Sequence, residues 1–123
     1  MDSQKRTRQF PTVISTTQFV KLYIMHLLTE RTRYGQDMMD EIEQRLNGRW
    51  KPSPGMLYPL LSQLESEGYI KGEWSEPEKR SVKRYRLTDT GIAHYKVIKL
   101  QYKSNFLYAK EIINNTMADL YPR

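Results

Sequence analysis

Five basic residues fall within eight consecutive positions of the chain. They are Lys79, Arg80, Lys83, Arg84 and Arg86. Clustered lysine and arginine side chains can neutralise the phosphates of a nucleic-acid backbone. The whole chain agrees with this chemistry, because 20 basic and 14 acidic residues give it a net charge of +6. Such a balance favours a polyanionic partner, nucleic acid more often than a membrane. A solvated turn is the alternative reading of the cluster.

A helix that begins near residue 53 offers a second set of contacts. Ser53 is a natural N-cap, Pro54 suits the first helical position, and Gly68 suits the end. Four leucines at helical spacing form its apolar face. We therefore expect the front of the helix to expose its remaining side chains, those of Gly55, Met56, Tyr58, Pro59 and Gln63.

Two of these helix residues have more than one possible role. Tyr58 lies about 100 degrees from Leu57 on the helix, where its hydroxyl could reach a phosphate or a base edge, and plain packing is the alternative. Ser53 could serve only as a cap, although a helix N-terminus also suits phosphate. Pro59 forfeits one backbone hydrogen bond and should bend or tighten the first turn.

Hydrophobic periodicity predicts the elements that position these residues. Helices are expected over about 16–29, over about 11 residues that end at Asn47-Gly48, from 53 to Gly68, and over 89–118. The stretch RTRYG, residues 31–35, is predicted to be a turn. Alternating apolar and polar residues predict two antiparallel strands, at 69–74 and 81–87.

This order of elements is typical of a winged helix-turn-helix, a mainly α fold with a small β-hairpin (α+β). In that arrangement the third helix enters the DNA major groove by its N-terminal end. The basic cluster then lies on the hairpin, which forms the wing. We expect three units: a flexible basic arm at 1–14, a winged-helix DNA-binding domain at 15–88, and a dimerisation helix at 89–123.

The amino-terminal residues have charge but no apolar stretch long enough for a signal peptide. Their basic side chains, Lys5, Arg6 and Arg8, could reach an adjacent DNA groove as an arm, or could have no role. No apolar run approaches the roughly 18 residues that a membrane span requires. A cytoplasmic protein without membrane contact is therefore expected.

The sequence gives little support for a disulfide, a metal site or a catalytic site. The chain has no cysteine, which rules out a disulfide framework or a thiolate metal site. His26 and Glu30 are four apart on a helix, but without a third ligand they predict no metal site. The sequence offers no nucleophile–base set and no phosphate-cradling glycine loop. We expect neither an enzyme nor a bound cofactor.

Along the last helix, apolar side chains recur at intervals of seven residues. About 30 residues of helix span roughly 45 Å, longer than a small winged core can cover. An apolar stripe of that length would promote aggregation of a monomer, and two-fold pairing would bury it. The sequence therefore predicts a homodimer whose interface includes Ile92, Tyr95, Lys99, Tyr102, Phe106, Ala109 and Ile113.

Three collinear stretches resemble the PadR family of bacterial transcriptional regulators. They are YGQDMMDEI at 34–42, SPGMLYPLLSQLESEGYI at 53–70 and KRYRLTDTG at 83–91. The resemblance implies a winged-helix DNA-binding domain with a carboxy-terminal dimerisation helix, usually acting as a repressor. The single carboxy-terminal helix is similar to that of the short subgroup, whereas the arm before the first helix is longer than the minimal pattern.

The expected function is a sequence-specific, homodimeric repressor that binds a palindromic DNA operator. Two alternatives stay open. One is a ligand-responsive regulator with a small apolar effector at the dimer interface, since some members of the family sense small molecules. Its pocket would use Trp50 or Trp74, or Tyr95 and Tyr102. The other is an architectural DNA-binding protein, because a replication-terminator protein has a similar layout of winged helix and long helix.

Overall fold

The computed structural model describes residues 14–75 and 82–123. The described elements, in chain order, are α1 (Thr16–Glu30), β1 (Arg33–Tyr34), α2 (Gly35–Arg45), α3 (Pro54–Ser66), β2 (Ile70–Trp74), β3 (Lys83–Leu87) and α4 (Asp89–Leu120). The predicted fold class is confirmed: the molecule is mainly helical with a small antiparallel sheet. None of the helices in the described ranges is both long and apolar enough to span a bilayer.

The helices begin and end at the signals that their sequences contain. Ser15 and Gln18 form a reciprocal capping box at the start of α1. Ser53 Oγ accepts a hydrogen bond from the Met56 amide at 3.2 Å, with a proline at the first position of α3. Asn47 and Gly48 follow α2 with φ angles of 57° and 71°, in the left-handed region that stops a helix.

The first three helices enclose one hydrophobic core. It is formed by Val20, Ile24, Leu27 and Leu28 of α1, Met38, Met39 and Ile42 of α2, and Leu57, Leu60, Leu61 and Leu64 of α3. Leu61 is fully buried at its centre. Since the leucines of α3 all turn inward, the opposite side of that helix is left to water or to a partner.

The predicted turn at residues 31–35 contains a strand, so the sheet has three strands in the order β1-β3-β2 rather than two. Arg33 pairs with Tyr85 and Tyr34 with Arg84. Arg33 is buried, and its Nε donates to the Leu27 carbonyl oxygen at the end of α1 at 3.2 Å. The two-residue strand thus joins the end of α1 to the wing.

Helix α4 packs on α1 through a second cluster, in which Met25, Tyr95 and Ile98 are buried. The Tyr95 hydroxyl and His26 Nδ1 are 2.7 Å apart. Tyr95, which was predicted to lie in a dimer interface, is thus buried in the core of its own chain, and its part in a dimer stays a prediction. Further along, Phe106 lies edge-on to Phe19, with 6.4 Å between ring centroids.

An ion cluster joins α1, β1 and α2. Glu30 Oε1 accepts hydrogen bonds from Arg33 Nη2 at 2.8 Å and from Arg45 Nη2 at 2.7 Å. The hydrogen bond from Arg45, helped by the charges of Arg45, His26 and Arg33, lowers the pKa of Glu30 from 4.5 to about 2. The carboxylate of Glu30, which was considered with His26 as a possible metal-binding pair, is thus hydrogen-bonded by two arginines. Within the described ranges, no three potential ligands are grouped so as to hold a metal ion.

Acid should weaken the fold through this cluster. Because the folded-state pKa of Glu30 is lowered, its contribution is present above pH 4.5 and is lost as pH falls from 4.5 towards 2. The melting temperature should therefore fall less steeply between pH 5 and pH 3 in Glu30→Gln than in the wild type. Glu111→Gln, an exposed carboxylate on α4, is the matched control. Equal slopes for the wild type and Glu30→Gln would contradict the assignment.

Candidate nucleic-acid interface

The front of α3 presents most of the residues that the sequence placed outward. Ser53, Gly55, Tyr58, Pro59 and Gln63 are all exposed. Tyr58 keeps 42% of its surface in water. The exposed front begins with a capped helix N-terminus, whose partial positive charge favours an anion such as phosphate.

Met56 differs from its neighbours on this surface. It is half-buried and packs against the main core cluster. Its predicted outward position is therefore only partly correct, because the first turn of α3 covers part of the core. Met56 is therefore a less suitable candidate for a DNA contact than Tyr58 or Gln63.

Alternation along β3 divides the basic residues of the wing between two faces of the sheet. Arg84 and Arg86 are exposed on the outer face, whereas Tyr85 is buried on the inner face. The guanidinium of Arg84 lies 4.7 Å from the centre of the Tyr34 ring. Its Nη2 also donates to the Tyr34 hydroxyl at 3.1 Å. That hydrogen bond is the largest cause of a lowered pKa for Tyr34.

Lys83 shares the inner face with Tyr85 and is tied to α3. Its Nζ lies 3.0 Å from Glu65 Oε1 and 5.2 Å from the centre of the Trp74 ring. Glu65 also accepts a hydrogen bond from the Gly72 amide at 3.0 Å. Lys83 thus ties the loop end of the paired strands β2 and β3 to α3. A phosphate contact from Lys83, as predicted, would require this ion pair to open.

The structural roles of two residues at this surface were not predicted from the sequence. Glu65 connects α3 to both long strands, and Tyr34 supports Arg84 from β1. A glutamate at helical spacing on a polar face gives no sign of such a role. Tyr34 stood next to a glycine in a stretch read as a turn.

Some of the predicted site residues lie elsewhere. Lys79 and Arg80 of the wing tip, and Lys5, Arg6 and Arg8 of the arm, lie outside the described residues. Trp50 and Trp74 are exposed edge residues. Of the predicted dimer contacts, the half-buried ones are Tyr102, Phe106 and Ala109, and the exposed ones are Ile92, Lys99 and Ile113.

A cleft of about 250 Å³ lies between α1 and α4. Its lining is mostly aromatic and apolar, with Phe19, Leu22, Tyr23, His26, Tyr95, Lys99 and Phe106. At the edge of the cleft, Lys99 Nζ lies 5.6 Å from the centre of the Tyr95 ring. The cleft is therefore an apolar site with a cation at its margin.

Comparison with known proteins relates this chain to transcriptional regulators. The model of the transcriptional regulator PadR-like family matches residues 24–97, more than half of the chain. An uncharacterised protein, protein X, of Lysinibacillus sphaericus is 31% identical over 100 residues, which are 79% of this chain and 86% of that protein. Transcriptional regulator Rv3488 of Mycobacterium tuberculosis is 31% identical over 74 residues, which are 60% of this chain and 66% of that regulator.

A solved structure shares the architecture as well. A transcriptional regulator from Clostridium thermocellum aligns with a TM-score of 0.64 and 31% identity, over 80% of this chain and 92% of that chain. The family match includes α2, α3, the three strands and the first turns of α4. The chain therefore belongs to the PadR-like family of transcriptional regulators.

Proposed function

We propose that the chain is a homodimeric repressor, which binds an inverted-repeat operator and blocks the promoter that the operator overlaps. The observation that most supports this proposal is the exposed, capped front of α3 beside the basic outer face of the sheet. In such a surface, cations of the wing and arm supply most of the affinity, and the helix front selects the sequence. A protein with this role works beside the chromosome, in the cytoplasm.

The carboxy-terminal part of α4 supports the dimer in this proposal. From Phe106 to Leu120 the helix is roughly 20 Å long. Apolar side chains on this part are left in water, with Ile113 57% and Leu120 59% exposed. A second copy related by two-fold symmetry would cover them and would set the two α3 helices about one DNA turn, roughly 34 Å, apart.

Removing wing charge should weaken binding to every DNA sequence alike. In Lys79→Ala/Arg80→Ala, a dimer would lose about four phosphate contacts, and the slope of log affinity against log salt should flatten by about 0.9 for each. Titrations of one duplex at several salt concentrations measure the slope.

The control for that prediction is Lys103→Ala/Lys110→Ala, which removes the same charge from exposed positions of α4. Its salt slope should stay close to that of the wild type. If the wing variant keeps the wild-type slope, residues 79 and 80 do not touch the DNA backbone.

The cleft between α1 and α4 favours a second candidate function, in which a flat apolar molecule regulates DNA binding. Its aromatic lining provides both stacking surfaces and shape. A thermal-shift screen of flat aromatic compounds tests this function. A hit should raise the melting temperature of the wild type but not of Phe19→Ala, and should change operator affinity; stabilisation without any change in affinity would speak against regulation.

A further inference from the structure

We propose that Gly35 is a positioning residue for DNA reading, because its missing side chain makes the space in which the ring of Tyr58 rests. This inference rests on the proposed function, and it adds a residue that touches no DNA itself. The dipeptide Tyr34-Gly35 lies in the predicted turn at 31–35 and in the first of the three stretches that resemble the PadR family. In the structure, Tyr34 contacts Arg84 of the wing and Gly35 contacts Tyr58 of α3.

The close approach of Tyr58 to α2 carries the inference. Gly35 is buried at the first position of α2, and the ring of Tyr58 lies directly against it. A Cβ added to Gly35 would be 2.7 Å from Tyr58 Cε1 and 2.9 Å from the Tyr58 hydroxyl oxygen. Carbon atoms in contact are normally about 3.5–4.0 Å apart, so any other residue at 35 must displace the ring.

Tyr58 can be displaced because much of its surface is exposed. With 42% of its surface exposed, the ring has α2 behind it and water in front. A methyl group at 35 would therefore swing the ring outward rather than compress the core. The hydroxyl at the end of the ring moves farthest, and it is the group expected to reach a phosphate or a base edge.

The same dipeptide also holds the wing. Tyr34, the neighbour of Gly35, lies under the guanidinium of Arg84 and accepts a hydrogen bond from it. The backbone of residues 34 and 35 thus lies between a side chain of the wing and a side chain of α3. The wing and α3 are far apart in sequence, yet Arg84 of the wing and Tyr58 of α3 both contact the same dipeptide.

Glycine at this position is not required by the backbone itself. Gly35 does not have the positive φ found at Gly48 and Gly68. Alanine is the better helix former, so at this first position of α2 Gly35→Ala should otherwise be neutral or slightly stabilising. A loss caused by Gly35→Ala would therefore come from the contact with Tyr58.

A double-mutant cycle of Gly35→Ala and Tyr58→Ala tests the proposal in the full-length chain. Gly35→Ala should lower operator affinity by roughly tenfold, while affinity for random duplex DNA changes less than twofold. In the Tyr58→Ala background, the same glycine substitution should change operator affinity by less than twofold. An equal loss in both backgrounds, or no loss in the presence of Tyr58, would overturn the proposal.

Melting temperatures of the four proteins keep the test decisive if Gly35→Ala folds poorly. The proposal then requires Tyr58→Ala to restore folding to the double variant, because the clash is removed. A double variant that stays unfolded would show that glycine serves the backbone and would overturn the proposal. If the wild type prefers no DNA sequence, the proposed function fails instead, and the coupling between residues 35 and 58 can still be read from the melting temperatures.

Discussion

Replacing Ile113 and Leu120 by glutamate is expected to convert the proposed dimer into a monomer and to lower operator affinity on the order of a thousandfold. Both side chains are exposed in the single chain, so two carboxylates there should leave its fold intact. Facing a second copy, however, they would place charge in an apolar contact. Loss of one half-site contact leaves mainly salt-dependent binding, which is typically at least about 10³-fold weaker than specific binding.

Sedimentation at micromolar concentration and operator titration measure the two effects together. The matched control is Asn114→Glu/Asn115→Glu, which adds the same charge at exposed polar positions of α4 next to Ile113. The control should remain dimeric. A wild-type chain that sediments as a stable monomer, or a glutamate pair that leaves the dimer unchanged, would contradict the assigned interface.

The second large effect is expected at the centre of the core. Leu61→Ala should lower the free energy of unfolding by about 2–5 kcal/mol, because a fully buried leucine leaves a cavity when it is truncated. Denaturant titration measures this loss. Under conditions where the variant is folded, its operator affinity should stay close to that of the wild type.

Tyr58→Ala, three positions away on the same helix, is the matched opposite. Its ring is 42% exposed, so the loss of stability should be small. Operator binding should weaken by about 1–3 kcal/mol, the usual cost of one specific contact. If Tyr58→Ala unfolds the chain while each folded molecule binds as before, Tyr58 is a packing residue and not a reading residue.

The helices could be predicted well because their signals are local. Ser53 with Pro54 and Asn47 with Gly48 fix helix ends through hydrogen bonds and φ angles within a few residues of the chain. The leucines of α3 fixed its buried face by spacing alone. From these facts the exposed side of the helix, including Tyr58, followed without knowledge of its neighbours.

What was missed depends on contacts between residues far apart in sequence. Strand β1 has two residues, too few to show alternation, and it exists because β3 pairs with it some fifty positions later. The bond between Lys83 and Glu65 joins two elements in the same way. Strict alternation along β3 puts Lys83 on the same face as Tyr85, so the sequence contained that signal although Lys83 was predicted to contact phosphate.

The apolar stripe of α4 illustrates a different limit. Helical spacing predicts that Tyr95, Phe106 and Ile113 share a face, but it cannot say what covers each of them. The structure places Tyr95 against α1 of the same chain and leaves Ile113 exposed. One stripe therefore serves two purposes in this chain, core packing near its start and, in the proposed dimer, assembly near its end.

Selection of bound duplexes from a random DNA pool by the purified full-length chain shows whether the chain reads a DNA sequence. We expect enrichment of an inverted repeat whose half-sites are centred about 10 base pairs apart, the spacing of one helical turn. Tyr58→Ala, used in parallel, should yield a less specific set of sequences. A bound pool with the same composition as the input would contradict the claim that this surface reads DNA.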